Sequence, residues 1–222
     1  MVYWTKEGVA FMQRVYFLGG STCCGKSTVA ERLCAERGWT LYKLDDDLEP
    51  FMAEAARRGY PASARAMALS PEDTWMRSPE EQNREELAIY REMFDQVRAA
   101  IAALGRARPV LAEGAGLLPE LARRLGVDAG HACFLAPTAR FQRETYAKRP
   151  WVGRIVGPCS DPQRAFDNWM ARDALFAQEV LAQARRWGYP AMVVDGSRPI
   201  EDTYRFVADC FARAQPYGKT RA

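Results

Sequence analysis

Short apolar runs alternate along the chain with longer stretches in which apolar residues recur every three or four positions. Five runs read as strands, Val15–Leu18, Trp39–Leu44, Pro109–Ala112, Ala132–Leu135 and Ala191–Val194, each bounded by Gly, Pro or Asp. Most are followed by helical periodicity. Strand–helix units in series predict an α/β fold, a five-stranded parallel sheet covered by helices on both faces with right-handed crossovers. Helix punctuation is explicit. Ser78-Pro79-Glu80-Glu81 is a capping box with proline at the first helical position, and Leu87, Tyr90, Phe94, Val97, Ile101 and Leu104 then form one apolar stripe. Asp161-Pro162 opens another helix, with Phe166, Trp169, Phe176 and Val180 on one face. Ala-Arg-Arg at 56–58, 122–124 and 184–186 precedes Gly59, Gly126 and Gly188, which places cations in a last turn and glycine at the left-handed cap. Residues 59–78 and 148–162 break the layering, and irregular insertions of that length read as lids or binding loops. The tail Gln215–Ala222 reads as frayed.

The chain has 222 residues, 48% of them apolar, which fits one domain with a sizeable core, or that domain plus a small lid. No run approaches the 18 or so apolar residues of a membrane span, and no secretory signal is visible. Six cysteines without metal-ligand spacing read as reduced thiols, hence a cytoplasmic setting. The net charge of +3 argues against a general nucleic-acid binder. A single histidine, His131, removes multi-histidine metal sites and disfavours a histidine-based triad.

The chemistry concentrates in Gly20-Ser21-Thr22-Cys23-Cys24-Gly25-Lys26-Ser27, a complete GxxxxGK[ST] between an apolar strand and a helix beginning Ser27-Thr28. Its glycines let successive N–H groups turn inward on phosphate oxygens, and the helix adds its positive end. Lys26 would reach the β- and γ-phosphates and the Ser27 hydroxyl would ligate Mg²⁺. Chance occurrence of a glycine turn before a helix is the competing reading, and a weak one for an eight-residue pattern in this context. Cys23 and Cys24 read first as small side chains that let the backbone approach a ligand. The alternative is a redox switch, because a helix N-terminus lowers thiol pKa.

Three further groups fall at strand ends, where parallel sheets bind ligands. Asp45-Asp46-Asp47 follows the second strand, as first-turn acids of a helix, as a carboxylate for phosphoryl transfer, or both. Glu113 ends the third strand, either as a turn acid or as an acid that orients metal-bound water. After the fourth strand, Arg140, Arg143, Lys148, Arg149 and Arg154 form a basic stretch and Arg172 flanks an apolar helix face. They read as a solvated surface or as an arginine-rich lid over phosphates.

In this order the motifs resemble those of the P-loop small-molecule kinases, a group that includes shikimate, gluconate and nucleotide kinases, chloramphenicol phosphotransferase and the kinase domain of polynucleotide kinases. The resemblance spans roughly residues 13–212. It implies a three-layer α/β/α P-loop fold over 1–222, an acceptor-side helical insertion at 45–105 and a lid at 138–165. ATP and Mg²⁺ are the implied cofactors. Asp46 is the first candidate for the base, with Asp45 and Asp47 open. Ser27, Asp45 and Glu113 are the implied metal-side residues, and Arg143 and Arg149 belong to the lid. Arg140 and the loop Asp195-Gly196-Ser197 flank the adenine. Shikimate- and gluconate-specific patterns are incomplete, and Cys159 to Asp173 matches no substrate-defining motif.

The leading expectation is therefore transfer of the ATP γ-phosphoryl to a hydroxyl of a small molecule. A nucleoside monophosphate kinase, a non-catalytic ATP-binding regulatory module and, more weakly, a polynucleotide 5′-hydroxyl kinase are the alternatives. Residues 138–172 hold seven Lys/Arg and three Asp/Glu, net +4, whereas residues 45–92 hold six Arg and twelve acids, net −6. An acidic acceptor side predicts a neutral or cationic acceptor.

Overall fold

A computed structural model describes residues 14–104 and 107–214; the expected frayed tail at 215–222 lies outside them. The sheet comprises β1 (Val15–Gly20), β2 (Thr40–Lys43), β3 (Val110–Glu113), β4 (Ala132–Pro137) and β5 (Ala191–Val194). All strands are parallel, in the order β2-β3-β1-β4-β5. Alternate residues separate two cores, as the two-residue period of a strand requires. Val15, Phe17, Val110, Ala112 and Phe134 face one core, and Leu18, Leu111, Cys133 and Leu135 face the other.

The second of these faces is covered by α1 (Lys26–Arg37) and the last helix, α10 (Ile200–Ala212), through Val29, Leu33, Val207 and Phe211. The first is covered by α5 (Pro79–Ala103), α6 (Pro119–Arg124) and α9 (Pro162–Trp187). Helix α5 buries Leu87, Tyr90, Phe94, Val97 and Ile101 on the stripe expected of it, whereas Leu104 is exposed at the C-cap. The three Ala-Arg-Arg stops hold, with Gly59, Gly126 and Gly188 at φ 81°, 73° and 71°. The expected three-layer α/β/α P-loop architecture is present. No described helix is long and apolar enough to cross a membrane.

Both segments expected to be irregular carry helices. After α2 (Leu44–Arg57), residues 59–78 hold α3 (Pro61–Ala68) and α4 (Pro71–Trp75). Proline occupies the first position of each. The free N–H groups of Ala62 and Ser63 donate to the Glu92 carboxylate at 2.9 and 2.8 Å. A cap supplied from thirty residues away leaves no local signature. After α7 (Ala139–Ala147), residues 148–162 contain α8 (Val152–Val156). Its Val152 and Val156 pack with Tyr146, Cys159 and Trp169 in a third, aromatic-rich cluster that Trp75 also touches. Ser160 then donates from its N–H and hydroxyl to Glu72 at 2.7 and 2.6 Å, tying this segment to α4.

Candidate active site

Strand register alone gathers the chemistry at one sheet end. Glu113 lies beside both Leu18 and Lys43, so the acid of β3 sits between the loop after β1 and the acids after β2. The loop is anchored by Ser21 N–H donating to Leu135 O at 2.9 Å. Gly20 has φ 119°, and a Cβ there would stand 1.9 Å from Leu135 O, so no other residue fits. Cys23, at φ 65°, is the non-glycine residue with positive φ among those described.

Thr22, Cys23, Cys24, Gly25, Lys26, Ser27 and Thr28 line a polar cleft of about 320 Å³, together with Asp45, Glu113 and Arg149. Lys26 is buried, and its Nζ donates to Ser21 O at 2.6 Å, folding the ammonium over the loop. Burial raises the Glu113 carboxyl above its ordinary range, opposed by Lys26 and by a hydrogen bond with Ser27. Arg149 is half buried, its guanidinium 4.9 Å over Tyr146 and 5.6 Å from the Trp151 ring centre. Among the described residues no group of three or more His, Cys, Asp or Glu side chains could hold a metal ion by itself. The oxygen donors Ser27, Asp45 and Glu113 fit a cation that takes its remaining ligands from phosphate and water, as Mg²⁺ does.

Other candidates fall elsewhere. Asp46, the first choice for the base, is exposed and does not line the cleft. The helix begins at Leu44, so each successive residue turns about 100° and one acid of three faces the loop. Asp47 neighbours Tyr42, whose phenol burial and then this carboxylate hold above its ordinary range. Arg143 is paired with Asp167 at 2.5 Å near the ring of Phe166, and Arg140 with Glu144 at 2.8 Å; neither lines the cleft. In the loop after β5, Asp195 accepts from the Ser197 N–H and hydroxyl at 2.9 and 2.6 Å. Gly196 there presses on Phe141, where a Cβ would stand 2.5 Å from the ring.

The thiols in the loop do not follow the redox reading. Burial pushes Cys24 up to about 12 and also raises Cys23, outweighing the nearby cations Lys26 and Arg149. His131 lies at the start of β4, at the opposite sheet end. There it stacks on Tyr16 and contacts Asp128 at 2.8 Å.

Beside the cleft is a second cavity of about 170 Å³, framed by α2, α3, α4, α5 and α9 and including Leu48, Met52, Trp75, Ile89, Tyr90 and Arg172 on its wall. The two spaces share α2: Asp45 lines the cleft, and Leu48, one turn further along the helix, lines the second cavity.

No protein-family model and no curated protein matches the chain. Among solved structures, it is similar to a gluconokinase from Sinorhizobium meliloti 1021, at 17% identity and TM-score 0.46, over 90% of this chain and 91% of that one. It is also similar to an uncharacterized protein from Eubacterium ventriosum ATCC 27560, at 12% identity and TM-score 0.42, over 90% and 98%.

Sequence reasoning missed the polar network behind the loop. Gln142, buried in α7, donates from Nε2 to Thr22 Oγ1 at 2.8 Å and to Asp173 Oδ2 at 3.0 Å. Tyr146 donates to the same Thr22 oxygen at 3.1 Å. Asp173 is buried in α9, and its neighbour Arg172 lies with Nε 2.6 Å from Asp173 Oδ1 while also pairing with Glu86. Glu86 in turn accepts from Tyr90 at 2.9 Å. The network therefore runs from the loop to the second cavity. Its one sequence signal is the adjacent Arg172-Asp173 inside the apolar face of a 26-residue helix. A charged pair there must be bought with buried partners.

Proposed function

We propose that the chain is an ATP-dependent phosphotransferase that moves the γ-phosphoryl to a hydroxyl of a small molecule, with Asp45 as the base. The observation that carries this is the position of Asp45 in the cleft, one helical turn before Leu48 on the wall of the second cavity. In this reading the N–H groups of the loop and Lys26 hold the β- and γ-phosphates, and Arg149, which also lines the cleft, adds a second cation. Ser27 and Glu113 hold Mg²⁺ directly or through water, and the ion supplies charge neutralisation at the phosphate oxygens. Asp45 accepts the hydroxyl proton as the acceptor oxygen bonds to the γ-phosphorus and the bond to the leaving ADP breaks. Arg140 and the Asp195-Gly196-Ser197 loop border the adenine, supported by the contact of Gly196 with Phe141 one residue from Arg140.

The test is transfer of labelled γ-phosphate by the full chain to a panel of alcohols, sugars, nucleosides and nucleoside monophosphates. Lys26→Ala should impair both ATP binding and transfer. Asp45→Asn should remove transfer and leave ATP binding nearly intact. If no acceptor yields a product although ATP binds, the non-catalytic module is the correct reading. Productive binding of a nucleoside monophosphate would make the chain a nucleotide kinase.

A further inference from the structure

The cavity next to the phosphate cleft has a wall whose chemistry restricts what it can hold. Four charged side chains line it, Arg77, Glu85, Glu86 and Arg172, and each is already neutralised by another. Arg77 Nη2 lies 2.5 Å from Glu85 Oε2, both side chains being under 15% exposed, and Arg65 approaches Glu85 at 3.4 Å. Arg172 serves Glu86 on one side and Asp173 on the other. A charged ligand would have to break one of these largely buried pairs and leave its partner uncompensated, which costs more than the new contact returns.

The rest of the wall is mostly apolar and aromatic, Leu48, Met52, Ala66 and Ile89 with Trp75 and Tyr90, and its two neutral polar side chains are engaged: Thr74 donates to Ser70 O at 2.9 Å and Gln82 to the Trp75 and Arg77 carbonyls at 3.3 and 3.0 Å. Trp75 is held from behind, its ring 4.6 Å from that of Trp169 and its carbonyl accepting from Asn168 at 3.0 Å. Within this wall the Tyr90 hydroxyl donates to Glu86 at 2.9 Å, and Leu48 stands one helical turn after Asp45 of the cleft. The volume, about 170 Å³, compares with the ~150 Å³ that holds one benzene ring in an apolar engineered cavity.

We infer that this cavity is the acceptor site and that the acceptor is an uncharged alcohol built on a single apolar or aromatic ring, its hydroxyl directed toward Glu86 and Asp45. The inference rests on the phosphotransferase reading above and narrows it. The net of −6 over residues 45–92 does not face the cavity, whose lining charges balance, so a cationic acceptor is no longer favoured.

The test is calorimetric titration of the full chain with four probes: 1-phenyl-1,2-ethanediol, its cationic analogue 2-amino-1-phenylethanol, gluconate and adenosine monophosphate. The neutral diol should bind more tightly than the other three. Ala66→Phe, which fills the cavity from α3, should weaken diol binding at least about tenfold, a loss of ~1.4 kcal/mol, while ATP still binds. Ile89→Glu, made separately, should do the same by charging the wall. No binding of the diol at millimolar concentration, tighter binding of any charged probe, or indifference of diol binding to both variants would overturn the inference. Diol binding that Ala66→Phe abolishes, without phosphate transfer to any alcohol in the panel, overturns the phosphotransferase reading and with it the acceptor role. The ligand class of the cavity would then stand.

Discussion

Asp173 links the loop to the second cavity, and its titration can be read from outside. Asp173→Asn keeps the side-chain shape and removes the charge. Burial raises this carboxyl from its ordinary 3.8 to about 6, with Arg172 opposing the shift and Glu86 adding to it. Two pKa units correspond to roughly 3 kcal/mol of linkage between folding and proton binding. The sign follows from which state holds the proton more tightly. The folded chain does, so the stabilisation is complete below about pH 4, is lost as the pH rises through about 6, and stays lost above. Asparagine does not titrate. The stability of the variant relative to the parent should therefore rise by roughly 3 kcal/mol between about pH 4 and pH 7, whatever its absolute value. Urea unfolding followed by tryptophan emission at several pH values measures this difference, with other titrating groups cancelling between the two proteins. A difference that stays flat within ~0.5 kcal/mol, about the scatter of additive independent sites, would refute the reasoning. So would one that moves the other way, which would mean that Arg172 dominates and the carboxyl is charged throughout.

Asp45→Asn should lower the transfer rate about 10²- to 10⁴-fold, whereas Asp46→Asn should change it by less than about threefold; the reverse ranking in a labelled-phosphate assay would restore Asp46 as the base. Gly20→Ala should destabilise the fold by at least ~1–3 kcal/mol from backbone strain alone, because its Cβ meets Leu135 O, and denaturant melts check this. Cys24 should resist iodoacetamide at neutral pH because its thiol is pushed up to about 12 and the thiolate is the reactive form; rapid labelling found by mass spectrometry of the native chain would contradict that burial.

Much of the frame was legible in the chain because the signals are local. A strand of the form Val15–Leu18 running into GxxxxGKS has one way to turn, and five such apolar runs separated by helical stripes have one economical sheet. Glu113 and the acids after β2 could be placed at the same sheet end from parallel order alone. Which acid lines the cleft could not. Asp45, Asp46 and Asp47 differ by single steps of about 100° around a helix, so the answer depends on where the first turn begins. That start, at Leu44, is set by the packing of Leu44 in the core. Helix α3 was hidden for a similar reason, since Glu92 supplies its cap from another helix, whereas the short α4 does carry a local cap, the Ser70 hydroxyl accepting from the Asp73 N–H at 3.1 Å.

What the sequence determined by itself is the glycine-rich loop between strand and helix, the parallel sheet and the identity of the charged groups near it, because these depend on contiguous residues and their periodicity. Only the tertiary structure decided how those groups are partnered. Summed along the chain, the arginines after β4 looked like a lid over phosphate, yet Arg149 lines the cleft while Arg143 and Arg140 are engaged by Asp167 and Glu144. Likewise the acidic excess of residues 45–92 pointed to a neutral or cationic acceptor, and the folded cavity presents balanced pairs around a mostly apolar wall. Charge along a chain is additive, but the field inside a cavity is set by the few groups that face it and by the counter-ions within a few ångströms. Those neighbours, drawn from α2, α3, α4, α5 and α9, come together only when the chain has folded.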